Sequence, residues 1–121
     1  MSTPAPTTAG SVALPTTAEL ATLRTELLRL RAENEADLRR AHGALDNLSS
    51  NGLLDDPSLR EEGSNAEYLL GDATTNISKI DAALERMERG TFGICASCQQ
   101  PIPLRRLQVR PYQPTCVACS A

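Results

Sequence analysis

All four cysteines of this chain stand near its C-terminal end as two C-x2-C pairs, Cys95 with Cys98 and Cys116 with Cys119, with seventeen residues between the pairs. Two disulfides that staple a small fold would be spread over the chain they have to hold. Close pairs instead grip one tetrahedral ion from two sides. Four thiolates favour zinc over calcium or magnesium, which take oxygen ligands; a four-thiolate iron centre fits the same spacing. Four sulfurs also fill the shell, so an ion held here has no open position for water or substrate and is structural. The expectation is one Zn2+ on Cys95, Cys98, Cys116 and Cys119, in a finger spanning 90–121.

Nothing in the rest of the chain suggests an enzyme. There is no nucleophile elbow, glycine-rich phosphate loop or HExxH, and the single histidine, His42, reads as a solvated helix residue far from the cysteines. The N-terminal stretch "MSTPAPTTAGSVALPTT" has neither a basic start nor a sustained apolar run, so it does not read as a secretory leader. A cytoplasmic protein with reduced thiols and no membrane association is expected. Residues 1–16, rich in Pro, Thr and Ala and uncharged, read as a disordered tail.

Aromatic residues make up 2% of the chain: Tyr68, Phe92 and Tyr112. A globular core of ordinary size is therefore not expected, and stability has to come from an elongated helix pairing and the metal. Thr16 and Glu19 have capping-box spacing. Behind them Leu20, Leu23, Leu27, Leu30, Leu38, Ala41, Leu45 and Leu48 form one apolar stripe, interrupted at Asn34 and ended by Ser49-Ser-Asn-Gly52. A second helix of about 25 residues, roughly 37 Å long, is predicted from the capping-box pair Ser64 and Glu67. Its seam runs through Ala66, Leu70, Ala73, Ile77, Ile80, Leu84 and Met87; Glu85 and Arg89 pair on its flank, and Gly90 ends it.

Neither helix can bury its stripe alone. The predicted fold is an all-α antiparallel coiled-coil hairpin over 17–89 followed by the small four-cysteine zinc finger, and the chain is expected to be a monomer. The tip loop, about 50–64, is expected to expose Leu53, Leu54 and Leu59 beside Asp55, Asp56, Glu61 and Glu62, with Pro57 stiffening it. The formal charge of -3 is uneven. All 15 acidic residues lie ahead of the finger, which has Arg105, Arg106 and Arg110 and no acid.

The cysteine spacing, "FGIC" leading into Cys95, Ile102, and the run Arg105-Arg106-Leu107 followed by Arg110-Pro111 and Cys116 together resemble the zinc-finger signature of the DksA/TraR family of bacterial transcription regulators. The family usually has glycine after the second cysteine. Gln99 in that place implies strain or an altered knuckle. The chain also stops two residues after Cys119, so the C-terminal helix of longer members is not expected. The resemblance implies a protein that binds bacterial RNA polymerase, inserting its hairpin through the secondary channel so that tip carboxylates approach the catalytic magnesium.

Relatives carry Asp-x-x-Asp-x-Ala at the tip. Counting back from Cys95 puts the second aspartate on Asp55, the first on Gly52 and the alanine on Pro57, with Asp56 adjacent. The same count puts two basic positions that relatives use for guanosine tetraphosphate on Lys79 and Arg110, and a third on Ser120, which leaves an alarmone response open. Two other functions compete. One is a zinc-stabilised coiled-coil adaptor. The other is a zinc-ribbon DNA-binding regulator working through Arg105, Arg106 and Arg110, though three arginines without aromatic partners are a thin footprint and no stable binding to naked DNA is expected.

Overall fold

In a computed structural model of the chain, residues 14–120 are described, so the tail predicted over 1–16 lies mostly outside the described residues. Four α-helices follow in order: α1 (Thr17–Ser50), α2 (Arg60–Arg89), α3 (Leu104–Val109) and α4 (Val117–Ser120). Among the described residues the only β-pairing is an isolated antiparallel bridge between Ile94 and Pro101. The fold is all-α, as the periodicity predicts.

The start of α1 follows from a reciprocal cap. The Glu19 N–H donates to Thr16 Oγ1 at 3.1 Å, and the Thr16 N–H donates to Glu19 Oε1 at 2.8 Å. Its end is equally specific. Gly52 adopts φ +67, which lets the Leu53 N–H reach the Leu48 carbonyl at 2.8 Å and the Gly52 N–H reach Ser49 at 3.1 Å. Gly90, at φ +78, repeats this device after α2, with Thr91 N–H on the Arg86 carbonyl and Gly90 N–H on Met87.

The start of α2 differs from the sequence expectation. Helix begins at Arg60, and a 3-10 turn over Pro57–Leu59 leads into it, so Ser64 lies inside the helix. Asp56 is the N-cap of that 3-10 turn, with proline just after it, and this pair outcompetes the Ser64–Glu67 box because it offers both a side-chain acceptor and a preset φ. The tip is accordingly shorter than 50–64. Leu54 is exposed there, whereas Leu53 and Leu59 are half-buried.

The described chain divides into two compact units, and the division falls within both long helices. One unit runs from Arg29 to Ser78. Here α1 and α2 run antiparallel around buried Ala41, Leu48, Ala66 and Ala73, with Leu38, Leu45, Leu70 and Ile77 half-buried beside them. Three of its four buried residues are alanines, which let the backbones approach closely. Asn34, where the stripe is interrupted, accepts a hydrogen bond from Asn76.

The other unit joins the beginning of α1 and the end of α2, from Lys79, to the finger. Its core combines Leu23, Leu27, Ile80 and Ala83 of the helices with Phe92, Cys95, Ile102 and Leu107 of the finger. Ala83 is buried although it lies off the predicted seam. Gly93 sits at φ +90, and a Cβ there would meet Pro15 Cδ at 3.0 Å. Glycine in "FGIC" is thus required by backbone conformation and by close packing together. The predicted pairing of Arg89 with Glu85 is present at 3.3 Å.

Candidate metal centre

The first knuckle turns at Cys95–Gln99. The Cys95 N–H donates to the Gln100 carbonyl at 2.8 Å and the Gln99 N–H to the Cys95 carbonyl at 2.9 Å, closing a tight loop around the Cys95 sulfur. The second knuckle is carried by the start of α4, where the Cys119 N–H reaches the Cys116 carbonyl at 3.2 Å. The Ala96 N–H bonds the Pro114 carbonyl at 2.9 Å and ties the two knuckles together. Helix α3 fills the interval, anchored by fully buried Leu107. The half-buried Arg106 donates from Nε to the Thr115 carbonyl at 3.2 Å, so this arginine braces the approach to Cys116.

These constraints bring the four Sγ atoms to within 4.8 Å of one another, with Cys98 and Cys116 at 3.8 Å. Zinc–sulfur bonds of about 2.3 Å set a tetrahedral edge of roughly 3.8 Å, so one Zn2+ fits the space and the donor set. Backbone N–H groups of Cys98 and Cys116 point at the Cys95 sulfur, at 3.5 and 3.4 Å. Those bonds, from Cys116 first and then Cys98, lower the Cys95 thiol to about 6. Cys119 behaves in the opposite way. Hydrogen bonding with Cys116, then with Cys95 and Cys98, pushes its thiol up to about 12. Four sulfurs this close cannot all ionise without a cation among them, and a divalent metal supplies the charge that removes the remaining protons. The ion would hold the two knuckles together and, with its shell full, do no chemistry on a substrate.

Gln99 carries the strain expected of it. At φ +60 it is the only non-glycine residue with positive φ among those described, and its side-chain Nε2 folds back onto the Ala96 carbonyl at 3.0 Å. The knuckle therefore keeps the left-handed turn that glycine would make and partly offsets its cost with a local hydrogen bond.

The remaining sites predicted from sequence stand apart from the cysteines. Asp55 and Asp56 occupy the tip, where Asp55 is exposed and Asp56 half-buried. Lys79 is exposed on α2, and exposed Arg110 caps α3. Sequence reasoning missed the capping role of Asp56, although the run Asp56-Pro57-Ser58 is itself a helix-start signal. It also missed the bracing role of Arg106, a contact between residues nine apart that no local pattern announces.

A helical hairpin joined to a four-thiolate finger defines a class of zinc-finger protein, and the comparisons place the chain within it. Residues 90–121 match the model of the prokaryotic dksA/traR C4-type zinc finger. The RNA polymerase-binding transcription factor DksA of Caulobacter vibrioides is 54% identical over 35 residues, 29% of this chain and 25% of that protein. The protein of the same name from Escherichia coli K12 is 42% identical over 43 residues, 36% of this chain and 28% of that one. The aligned stretches thus span under a third of these curated relatives. The solved structure of transcription factor DksA2 from Pseudomonas aeruginosa reaches further: TM-score 0.71 and 32% identity, covering 86% of this chain and 81% of that one. The chain belongs to the DksA/TraR family of C4 zinc-finger proteins. No helix among the described residues is long and apolar enough to cross a membrane.

Proposed function

We propose that the protein is a non-enzymatic regulator that binds bacterial RNA polymerase, reaches through its secondary channel with the hairpin, and alters initiation through the carboxylate at the tip. The observation that carries this reading is an exposed Asp55 on the short turn that closes the α1–α2 hairpin, in a chain whose fold matches a DksA protein over most of both lengths. A two-helix probe is narrow enough to enter where a globule cannot. A carboxylate on its end can compete for, or reorganise, groups around a catalytic magnesium. Zinc has no part in that chemistry; held by Cys95, Cys98, Cys116 and Cys119, it stabilises the finger. The protein acts as a monomer, and exposed Lys79 and Arg110 are the residues through which guanosine tetraphosphate would be sensed.

Asp55→Asn is the direct test, because it keeps shape and removes charge. In a purified initiation assay on an unstable promoter, the variant binds polymerase like the wild type but loses most of the effect on transcript yield. Equal effects of variant and wild type would remove the tip mechanism. Absence of polymerase binding by the wild type would remove the reading as a whole.

A further inference from the structure

The tip is built from three nested hydrogen-bonded turns. The glycine cap at Gly52 ends α1, and its Leu53 is half-buried. The Asp56 N–H then bonds the Leu53 carbonyl at 3.1 Å, making a β-turn over 53–56 whose two central residues are Leu54 and Asp55, both exposed. Finally the Asp56 carboxylate accepts from the Ser58 N–H at 2.9 Å and from Ser58 Oγ at 2.7 Å, while the Leu59 N–H bonds the Asp56 carbonyl at 3.0 Å. Asp56 therefore belongs to the β-turn through its backbone and, through its side chain, to the 3-10 turn that leads into α2.

The two neighbouring aspartates thus have different surroundings. One Asp56 oxygen is engaged by two donors of a single serine. Asp55 is at the centre of the turn, where its carboxylate faces solvent. Gly52, at the place where relatives carry another aspartate, is committed to a left-handed φ that closes the helix. From this arrangement we infer that Asp56 is a positioning residue. Its contact with Ser58 fixes the β-turn and so sets how Asp55 and Leu54 project, while Asp55 alone of the pair acts on the partner.

The inference rests on the polymerase reading for what Asp55 does, but the clamp itself can be read without polymerase. The experiment compares Asp56→Asn, Asp56→Ala, Ser58→Ala and Asp55→Asn in the full zinc-loaded chain, by amide exchange at Ser58 and by the initiation assay. Asparagine caps a helix about as well as aspartate but carries no charge, whereas alanine offers no acceptor. Ser58 exchange should stay slow in Asp56→Asn and Asp55→Asn and speed up about fivefold in Asp56→Ala. Ser58→Ala removes only the hydroxyl and should fall between. In transcription, Asp56→Asn should keep most of the wild-type effect, Asp56→Ala should lose most of it, and Asp55→Asn should lose it with the clamp intact. Loss in Asp56→Asn equal to that in Asp55→Asn would overturn the assignment, since charge and not capping would then matter. So would unchanged Ser58 exchange in Asp56→Ala. A wild type without any effect on polymerase would reject the function reading, and the exchange data would still decide whether Asp56 holds the turn.

Discussion

Asn76 donates a hydrogen bond from Nδ2 to Asn34 Oδ1 at 3.1 Å, and Asn34 Nδ2 in turn donates to the Leu30 carbonyl at 2.8 Å. Both asparagines are half-buried on facing helices of the unit formed by Arg29–Ser78. A polar pair within an apolar seam lowers stability relative to a leucine pair but penalises every register in which the amides do not meet. Replacing either asparagine alone with leucine leaves the other amide facing an apolar side chain and should lower the melting temperature. Replacing both should restore it to the wild-type value or above, with a coupling of about 0.5–1 kcal/mol between the sites. Thermal melts of the four proteins measure this; additive losses would show that the pair is not coupled.

The left-handed Gln99 gives a second expectation. Gln99→Gly should retain zinc at least as well as the wild type, because relief of the positive φ offsets the lost bond to Ala96. Gln99→Val should retain it about tenfold less well, since a β-branched residue resists this conformation by roughly 1–2 kcal/mol. Competition against a chromophoric chelator reads both. Equal affinities for all three proteins would mean that the knuckle accommodates the turn without strain.

Metal loss should not unfold the molecule evenly. In Cys116→Ser, or after strong chelation, the finger loses the contact that joins its knuckles, and Phe92, Ile102 and Leu107 lose a fixed setting against the helix ends. Amide exchange should then rise over 90–120 and, to a smaller degree, over 17–28 and 79–89. Protection within 29–78 should persist, because that unit has its own buried residues. Uniform loss of protection along the chain would show that the hairpin depends on the metal throughout.

Asp56 adds a pH dependence of definite sign. Its carboxyl is held below the usual 3.8, first by the Ser58 hydroxyl and then by the Ser58 N–H. A group whose pKa is depressed by folding contributes stability that is present above the unfolded value and is lost as pH falls through the folded one. The tip should therefore stay ordered at neutral pH and loosen on acidification below about pH 4. Carboxyl-detected NMR titration should place the Asp56 midpoint below 3.8, and Ser58→Ala should move it upward. A midpoint unmoved in Ser58→Ala would mean that the hydroxyl is not the main cause.

The sequence by itself determined whatever depends on spacing along the chain. Two C-x2-C pairs define a four-thiolate site, Thr16 with Glu19 defines where α1 begins, and repeats of three and four select the faces that become buried. Gly52 and Gly90 mark the ends of the long helices because a left-handed residue there is a local requirement. The strain at Gln99 was legible only through the family resemblance, in which glycine usually takes that place. Only the tertiary structure decided between local signals that compete, and between residues that are neighbours in space alone. Asp56-Pro57 overrides Ser64 as the start of α2 because the chain leaving the Gly52 cap can form its β-turn and 3-10 turn at once. Asn34 reads as a flaw in the stripe until Asn76, forty-two positions later, is seen to donate to it. Arg106 reads as a surface cation until Thr115 receives its Nε. Asp55 and Asp56 are chemically identical neighbours, and Asp56 is the engaged one because it stands two residues before Ser58 at an N-cap, a local signal that competed with Ser64.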